Sequence, residues 1–338
     1  MKKAIFVVLV VFAAGCASQK PQPHFPAAPP SVPAAPAYSA KPLDEKLRAG
    51  AVTELLADVN SQDPFLRSNS IEALGDVDPS DAAGPILKGL SDLDPSVRFS
   101  AAVSAGQMKL VDAYNPLLAM ANDPDLRVQA GVRFALHRLG DTRLSHDLEK
   151  LAAAPDPSVR GTTAMVLGLL KDPSATNMLL TLLGDHAPSV RIQAAEALWR
   201  LGNERGLNDL VAFSVSPYPD DQIIAVRAIA ETGEQRVIQH VRGYLTSDYL
   251  EVSLAAARGL GVLGSDEGWN VAVPAALSKD PRQRGLAALA MGAIGRSDLQ
   301  DYLAPLLKDQ EQSVRICAAT AILQLRSPAQ YLSAQASR

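Results

Sequence analysis

The residues best suited to chemistry in this 338-residue chain are five histidines and two cysteines. The histidines are far apart, and none forms an HExxH pair or another close spacing typical of a metal site. Cys16 lies at the end of a leader and Cys317 near the C-terminus, so we expect no disulfide framework and a small half-buried helix residue at 317. We therefore predict a non-catalytic protein without a metal or other cofactor. The histidines are His24, His137, His146, His186 and His240.

A literal GxGxxG motif lies at residues 259–264. Such a motif binds a dinucleotide when a strand precedes it and a helix begins at it. Here it falls near the end of a predicted helix, and Gly261 and Gly264 recur at equivalent places elsewhere in the chain. The recurrence favours helix packing and helix termination as the roles of these glycines.

Arginine recurs at a fixed place in a repeated segment. Such a column could form a basic stripe that binds anions, or it could pair with an acidic residue of its own or an adjacent repeat. Each arginine falls in the first turn of a predicted helix, where the helix dipole disfavours a cation, so we expect an acidic partner. This interpretation predicts a structural ladder between repeats. Its predicted members are Asp63, Arg67, Asp94, Arg98, Asp123, Arg127, Asp156, Arg160, Arg191, Asp280, Arg284 and Arg315.

Aromatic residues make up only 5% of the chain, yet five of them cluster where the repeated pattern weakens. In the sixth and seventh repeats the Asp-Pro-x-x-Arg start is replaced by residues 218–222 and 249–253. One interpretation is sequence drift with intact packing. The other is a local partner-binding surface, because Tyr and Trp are enriched at binding hot spots. The candidate residues are Phe213, Tyr218, Tyr244, Tyr249 and Trp269.

Repeated helix pairs must position these residues. The column of Arg67 recurs to residue 315 in steps of 31, 29 and 33, followed by steps of 31, which predicts a stacked repeat architecture. The steps of 29 and 33 predict two extra residues in the third repeat, around Arg133 and Phe134. Asp suits the N-cap of each first helix, Gly suits its C-terminus, and Pro suits its first position. The prolines are Pro64, Pro95, Pro124, Pro157, Pro188, Pro219 and Pro281.

The D-P-x-x-R start followed by A-A-x-A-L-G resembles the HEAT family, specifically its short form, the PBS-lyase HEAT-like repeats. The resemblance implies an all-α fold, an α-solenoid (superhelix) of about nine 31-residue two-helix repeats. In the family, the Asp and Arg positions resemble an inter-repeat ladder. We assign the array to residues 63–326, an N-terminal capping helix to 44–62 and a C-terminal cap or tail to 327–338.

The first sixteen residues contain two lysines, a short apolar run and the sequence Ala13-Ala14-Gly15-Cys16. The run is too short to cross a bilayer and is typical of a secretory signal peptide, here residues 1–15. Its end resembles the bacterial lipobox, which implies a lipoprotein acylated on Cys16, for example with palmitate. Ala17 after the cysteine implies sorting to the outer membrane. The Pro/Ala-rich residues 16–43 predict a disordered, extended tether.

These features predict a lipid-anchored binding scaffold for one or more envelope proteins, held at the outer membrane and facing the periplasm. An array with capped ends can be stable as a monomer. The net charge of -4 does not favour nucleic acid as a partner. Two alternatives stay open: a binder of peptidoglycan or another envelope glycan, and, with less support, an enzyme subunit related to the phycobilin lyases that give the repeat its name.

Overall fold

The computed structural model describes residues 35–75 and 79–336. Within these ranges a leading helix, α1 (Glu45–Asp58), is followed by eighteen helices that form nine consecutive pairs. The pairs confirm the all-α solenoid class and the predicted number of repeats. The first helices are α2 (Pro64–Leu74), α4 (Pro95–Met108), α6 (Leu126–Arg138), α8 (Pro157–Leu170), α10 (Pro188–Arg200), α12 (Pro219–Glu231), α14 (Leu250–Leu263), α16 (Pro281–Ile294) and α18 (Gln312–Gln324).

The second helices are shorter on average, and a turn of 3₁₀ helix precedes several of them. They are α3 (Pro79–Gly89), α5 (Tyr114–Ala119), α7 (Leu148–Ala152), α9 (Thr176–Leu182), α11 (Glu204–Ser214), α13 (Ile238–Gly243), α15 (Trp269–Ala275), α17 (Gln300–Leu306) and α19 (Pro328–Ala336). The 3₁₀ turns that precede a second helix are Val111–Ala113, Ser145–Asp147, Pro173–Ala175, Gln235–Val237 and Ser297–Leu299, and another, Tyr244–Thr246, follows α13.

The described residues fall into two compact units. Unit 1 holds residues 55–75 and 79–206, and unit 2 holds residues 35–54 and 207–336. In unit 1, the first helices α2, α4, α6 and α8 each pack against the first helix of the next repeat. An ideal Cβ on Gly106 would lie 2.7 Å from the Cα of Ala135, so α4 and α6 are too close for a side chain there. The small residues of the first helices are therefore a requirement of this packing.

Unit 2 uses the same packing between α12, α14, α16 and α18. An ideal Cβ on Gly261 would lie 2.5 Å from the backbone N of Ile294, and one on Gly259 would lie 2.8 Å from the Cβ of Ala230. Gly264 ends α14 in the left-handed region, at φ 89°. These positions confirm that the GxGxxG run serves helix packing and helix termination.

The start of α6 differs from the prediction for the third repeat. Asp125 is the N-cap, and its side chain accepts a hydrogen bond from the backbone N–H of Arg127. The helix therefore begins at Leu126, and Pro124 lies before the N-cap and not at the first helical position. An Asp-Pro pair at 123–124 imitates the helix start of other repeats but precedes the true start.

The corrected start removes the predicted insertion. Arg98 is the fourth residue of α4, and Gln129, not Arg127, is the fourth residue of α6. With Gln129 in the column, every step from residue 67 to residue 315 is 31. The predicted extra residues around Arg133 and Phe134 are wrong, because both lie within an uninterrupted helix of normal length.

The segment before α1 lies against the C-terminal repeats of unit 2. Arg296 donates from Nη1 to the carbonyl of Pro36 at 2.8 Å and from Nη2 to that of Ala37 at 3.3 Å. Its guanidinium also lies over the ring of Tyr38, 5.4 Å from the centroid. The predicted tether therefore does not extend through residues 36–43. A proline-rich segment leaves its carbonyls without partners in secondary structure, and buried Arg296 uses them.

Arg296 is the centre of a larger cluster in unit 2. It pairs with Asp298 at 2.7 Å and with Asp266 at 3.0 Å. The ring of Tyr38 lies 4.7 Å from that of Tyr331, a buried residue of α19. We call Arg296, Asp266, Asp298, Tyr38 and Tyr331 the Arg296 cluster.

Predictions for the leader fall on residues that the structure does not describe. The signal peptide, residues 1–15, and Cys16 lie outside the described ranges. Helices α1 and α19 lie within the predicted N-terminal and C-terminal caps. Within residues 35–75 and 79–336, no helix has both the length and the apolar character that crossing a membrane requires.

Candidate functional site

Four arginines of the recurring column form two-pronged ion pairs with an aspartate 25 residues further along the chain, in the loop that precedes the first helix of the next repeat. In each pair Nε and Nη2 donate to the two carboxylate oxygens at 2.6–2.9 Å. All of these side chains are mostly buried. The pairs, which we call rungs, are Arg67–Asp92, Arg98–Asp123, Arg160–Asp185 and Arg284–Asp309.

The acidic partners in the rungs differ from the predicted ones, except for Asp123. The aspartates predicted as partners are helix N-caps; Asp94, for example, accepts from the backbone N–H of Ser96 at 2.8 Å. An N-cap carboxylate is committed to the first turn of its own helix and does not pair with the preceding repeat. Arg127 likewise pairs with Asp125 of its own repeat, at 2.6 Å. The N-caps are Asp63, Asp94, Asp156 and Asp280.

Each residue of the column also holds the loop in front of its own helix. Its side chain donates to the carbonyl six residues earlier, whether it is an arginine, a glutamine or a serine. This bond persists where the rung is missing, as in Gln222, which donates to Ser216 at 2.7 Å. Arg191 makes the same bond with the backbone carbonyl of Asp185, and Arg315 makes it with that of Asp309. Arg315 also forms an ion pair with Glu54 of α1.

The rungs fix the charge of their members. The hydrogen bonds from Arg160 hold the pKa of Asp185 below its usual range, and Arg284 does the same for Asp309. The carboxylates in turn raise the pKa of both arginines. Each cation is thus neutralised by a carboxylate that stays ionised, so the rungs do not present a basic stripe to an anionic ligand.

Two of the five candidate aromatic residues are exposed. Tyr218 is 52% exposed and Tyr249 is 40% exposed. They occupy the same place in adjacent repeats, the N-caps of α12 and α14, and neither side chain caps its helix. A phenol replaces the capping carboxylate found in the regular repeats, and its ring is left accessible to solvent.

Tyr244 instead belongs to an internal group of unit 2. Its hydroxyl donates to the carbonyl of Ser214 at 2.8 Å, and its ring stands edge-on to His240 at 5.5 Å between centroids. The Nε2 of His240 lies 2.8 Å from the Ser214 hydroxyl, and burial lowers the pKa of His240. Buried Ser214 donates its proton to the carbonyl of Val211, so this hydroxyl is held in the core. Phe213, next to it in α11, is half-buried.

Trp269 is half-buried at the start of α15 and meets Tyr302 edge-on, 5.8 Å between ring centroids. The structure thus divides the five predicted residues into an exposed pair and three partly covered residues, each with a different environment. Only Tyr218 and Tyr249 offer accessible rings at equivalent positions.

Sequence reasoning missed two apolar neighbours of this pair. Val215 is 71% exposed and Leu277 is 87% exposed, and both occupy the same place in their repeats, just before a first helix. Their shared position in the 31-residue period was the signal that could have identified them. Asp220 and Arg282, each the second residue of a first helix and two repeats apart, form an exposed ion pair at 3.3 Å. The tyrosine edge comprises Val215, Tyr218, Asp220, Tyr249, Leu277 and Arg282.

Within the ranges that the structure describes, no three His, Cys, Asp or Glu side chains come together in a way that could hold a metal ion. Cys317 is a free, half-buried thiol, and burial raises its pKa to about 12.

Paired helices with a constant period define an all-α repeat protein. The profile of the HEAT-repeat family matches residues 50–137 and 146–217, so the chain contains HEAT repeats. Its solved structural neighbours include the complex of CpcE and CpcF of phycocyanin lyase from Nostoc sp. PCC7120, at 20% identity, with 72% of this chain and 97% of that chain covered and a TM-score of 0.43. Human deoxyhypusine hydroxylase in complex with glycerol is 18% identical, with coverages of 83% and 97% and a TM-score of 0.36. A search of curated proteins found no significant match.

Proposed function

We propose that this chain is a membrane-anchored, non-catalytic scaffold lipoprotein of the bacterial cell envelope, and that it binds a partner protein at the tyrosine edge. HEAT repeats form extended surfaces suited to protein–protein interaction. The observation that carries the proposal is the pair of exposed rings at equivalent positions, Tyr218 and Tyr249.

The chemistry of the edge suits a protein surface. Tyrosine offers a large contact area with few rotatable bonds and a hydroxyl that keeps hydrogen bonds at a wet rim. Val215 and Leu277 add apolar area, and the Asp220–Arg282 pair supplies charges that can exchange partners on binding. Such a mixed patch is typical of a non-obligate interface.

The anchor is supported by sequence alone. The lipobox-like residues 13–16 would place acyl chains on Cys16, and the spacer from residue 17 to about residue 35 would hold the repeats away from the membrane surface. Ala17 supports the outer membrane, with the repeats facing the periplasm.

Crosslinking in the native cells, followed by capture and mass spectrometry, tests the proposal. We expect the wild type to capture one or two envelope proteins. The double variant Tyr218→Ser/Tyr249→Ser should capture at least tenfold less of them. The matched control is Phe65→Ser in unit 1, because Phe65 is 39% exposed and is also an aromatic residue at the start of a first helix. The free energy of unfolding of Phe65→Ser should lie within about 0.5 kcal/mol of the wild-type value, because exposed side chains contribute little to stability. The double variant should be at least as stable as the wild type, because serine can cap α12 and α14. Equal capture by the double variant would contradict the assignment of the edge.

A second candidate function is binding of an envelope glycan. The exposed tyrosine rings favour it, because sugar rings stack on aromatic faces and acidic side chains such as Asp220 accept bonds from sugar hydroxyls. Sedimentation with purified peptidoglycan would distinguish the two. Cosedimentation that the double variant abolishes, together with no enriched protein, would favour the glycan.

A further inference from the structure

A groove of about 490 Å³ opens in unit 1 between α6, α7 and the loop that precedes α8. Its lining includes Gln129 and Ala154, which occupy the two positions that hold a rung in the regular repeats. One repeat later, Arg160 and Asp185 are joined across the equivalent space. Gln129 keeps the bond to the carbonyl six residues earlier, that of Asp123, but Ala154 carries no carboxylate with which a rung could form. The missing rung therefore leaves the groove open.

One wall of the groove contains an arginine at a position that is apolar in every other repeat. Arg133 is only 6% exposed. A charged group in a buried column costs desolvation, which a single ion pair often fails to offset. Helix packing therefore gives no reason for an arginine here. The equivalent buried residues are Ile71, Ala102, Ala164, Ala195, Val226, Ala257, Ala288 and Ala319.

The bonds of Arg133 are longer than those of the rungs. Nη1 donates to the carbonyls of Ala121 at 3.2 Å and Gln129 at 3.1 Å, and Nη2 donates to Asp147 at 3.2 Å. The Nε of Arg133 is buried without an acceptor in the ranges that the structure describes. Asp147 is also bound by Lys150, at 3.2 Å. Two cations of the groove thus share one carboxylate, and one donor lacks a partner.

We propose that this groove binds a peptide C-terminus, with the terminal carboxylate on Arg133 and Lys150. The carboxylate would balance the second positive charge and accept from the second N–H of Nη2, whose other N–H donates to Asp147. Leu126, Leu151 and Pro155 also line the groove and would cover an apolar side chain of the last residue. Asp147 lies among the same residues and disfavours a doubly charged phosphate more than a singly charged carboxylate. The groove lies in unit 1, so the inference does not depend on the tyrosine edge.

The test measures binding to the full-length protein, solubilised in detergent, by ligand-observed NMR. The probe is the dipeptide acetyl-Ala-Leu with a free carboxylate; the same dipeptide as its C-terminal amide and inorganic phosphate are the comparisons. We expect the free acid to bind with a Kd on the order of 1 mM, as for a ligand of this size. The amide should bind at least tenfold more weakly, and phosphate should not displace the acid. Equal binding of acid and amide, or displacement by millimolar phosphate, would overturn the proposal.

Two variants locate the binding. The double variant Gln129→Arg/Ala154→Asp restores a rung and fills the groove, so it should reduce binding at least tenfold while the helical circular-dichroism spectrum is preserved. Lys150→Ala removes an exposed cation and should weaken binding about threefold to tenfold. The matched control is Ser253→Arg/Ser278→Asp, which installs a rung in unit 2 and should leave binding unchanged. Binding that survives in the filled variant, or no binding to the wild type, would also overturn the proposal.

Discussion

The two units share one kind of helix packing but are linked by different polar contacts. Among the described residues, unit 1 has three rungs, and unit 2 has one. Unit 2 instead has the ion pair of Arg315 with Glu54 and the Arg296 cluster, both of which involve the segment that precedes the array. In both units the first helices approach closely enough to exclude a side chain, as at Gly106 and Gly261. Packing of the first helices therefore does not require a rung at every repeat.

Candidate binding surfaces lie where the rungs are missing. The tyrosine edge belongs to repeats whose column residues are Gln222 and Ser253, and the groove of unit 1 belongs to the repeat with Gln129. A rung occupies the loop between repeats with a buried ion pair, and its loss frees that loop for other side chains. We infer from this contrast between repeats with and without a rung that the rungs contribute to stability, whereas the repeats without a rung provide the binding surfaces.

The largest effect is expected from removal of the charge at the centre of the Arg296 cluster. Arg296→Met leaves Asp298 and Asp266 without their cation and releases the carbonyls of residues 36 and 37. We expect a loss of about 3–5 kcal/mol in the free energy of unfolding, measured with urea and circular dichroism. The control is Arg282→Met, which breaks the exposed pair with Asp220 and should cost less than about 1 kcal/mol. Equal costs would show that the cluster is not a main link of unit 2.

The next largest effect on the free energy of unfolding is expected from the loss of one rung, which can be compared between the two units. Asp185→Asn in unit 1 and Asp309→Asn in unit 2 each leave a mostly buried guanidinium with a neutral partner. We expect both to cost about 1.5–3 kcal/mol in the same urea measurement, because the two rungs match in bond length and burial. Asp248→Asn, at an exposed position, is the control. A clear difference between the two rung variants would mean that a rung's contribution depends on its unit.

A smaller effect on the free energy of unfolding is expected when the pH is lowered. Because the folded pKa of Asp185 is lowered, its stabilising contribution is complete above the unfolded pKa of about 3.9 and is lost as the pH falls through the folded pKa. The gap in unfolding free energy between the wild type and Asp185→Asn should therefore narrow below about pH 4, by about 1.4 kcal/mol for each pH unit by which that pKa is lowered. Urea titrations between pH 2 and pH 7 measure it. A gap that stays constant down to pH 2 would contradict the assigned partner.

Local signals made the helices and the column predictable from the sequence. The helix starts are marked by capping residues and prolines, the helix ends by glycines, and the period brings Arg67 and Arg98 to equivalent places. These signals act over one turn or one repeat, so a single sequence contains them. The recurring arginine and its acidic pairing were expected on that basis.

Contacts that depend on the helix start or on distant segments could not be predicted in the same way. Asp123-Pro124 and Asp125 are both plausible helix starts, and the wrong choice moved the column from Gln129 to Arg127. That error also hid Arg133, because only the correct register shows that it replaces a buried apolar residue. The contact between Arg296 and Pro36 joins residues 260 positions apart, and no local pattern indicates it.

The smallest effect is expected from building a rung where unit 2 lacks one. Ser253→Arg/Ser278→Asp places the charged pair at the spacing of Arg284 and Asp309, so we expect a gain of about 0.5–1 kcal/mol in unfolding free energy. Ser253→Arg alone should give no gain, because the new cation would lack its carboxylate. If the double variant is more stable and still captures the partner as the wild type does, stability and recognition in unit 2 are separable. If it is more stable but loses capture, the absence of a rung is itself a requirement of the tyrosine edge, because Tyr249 is the N-cap of the helix that carries Ser253.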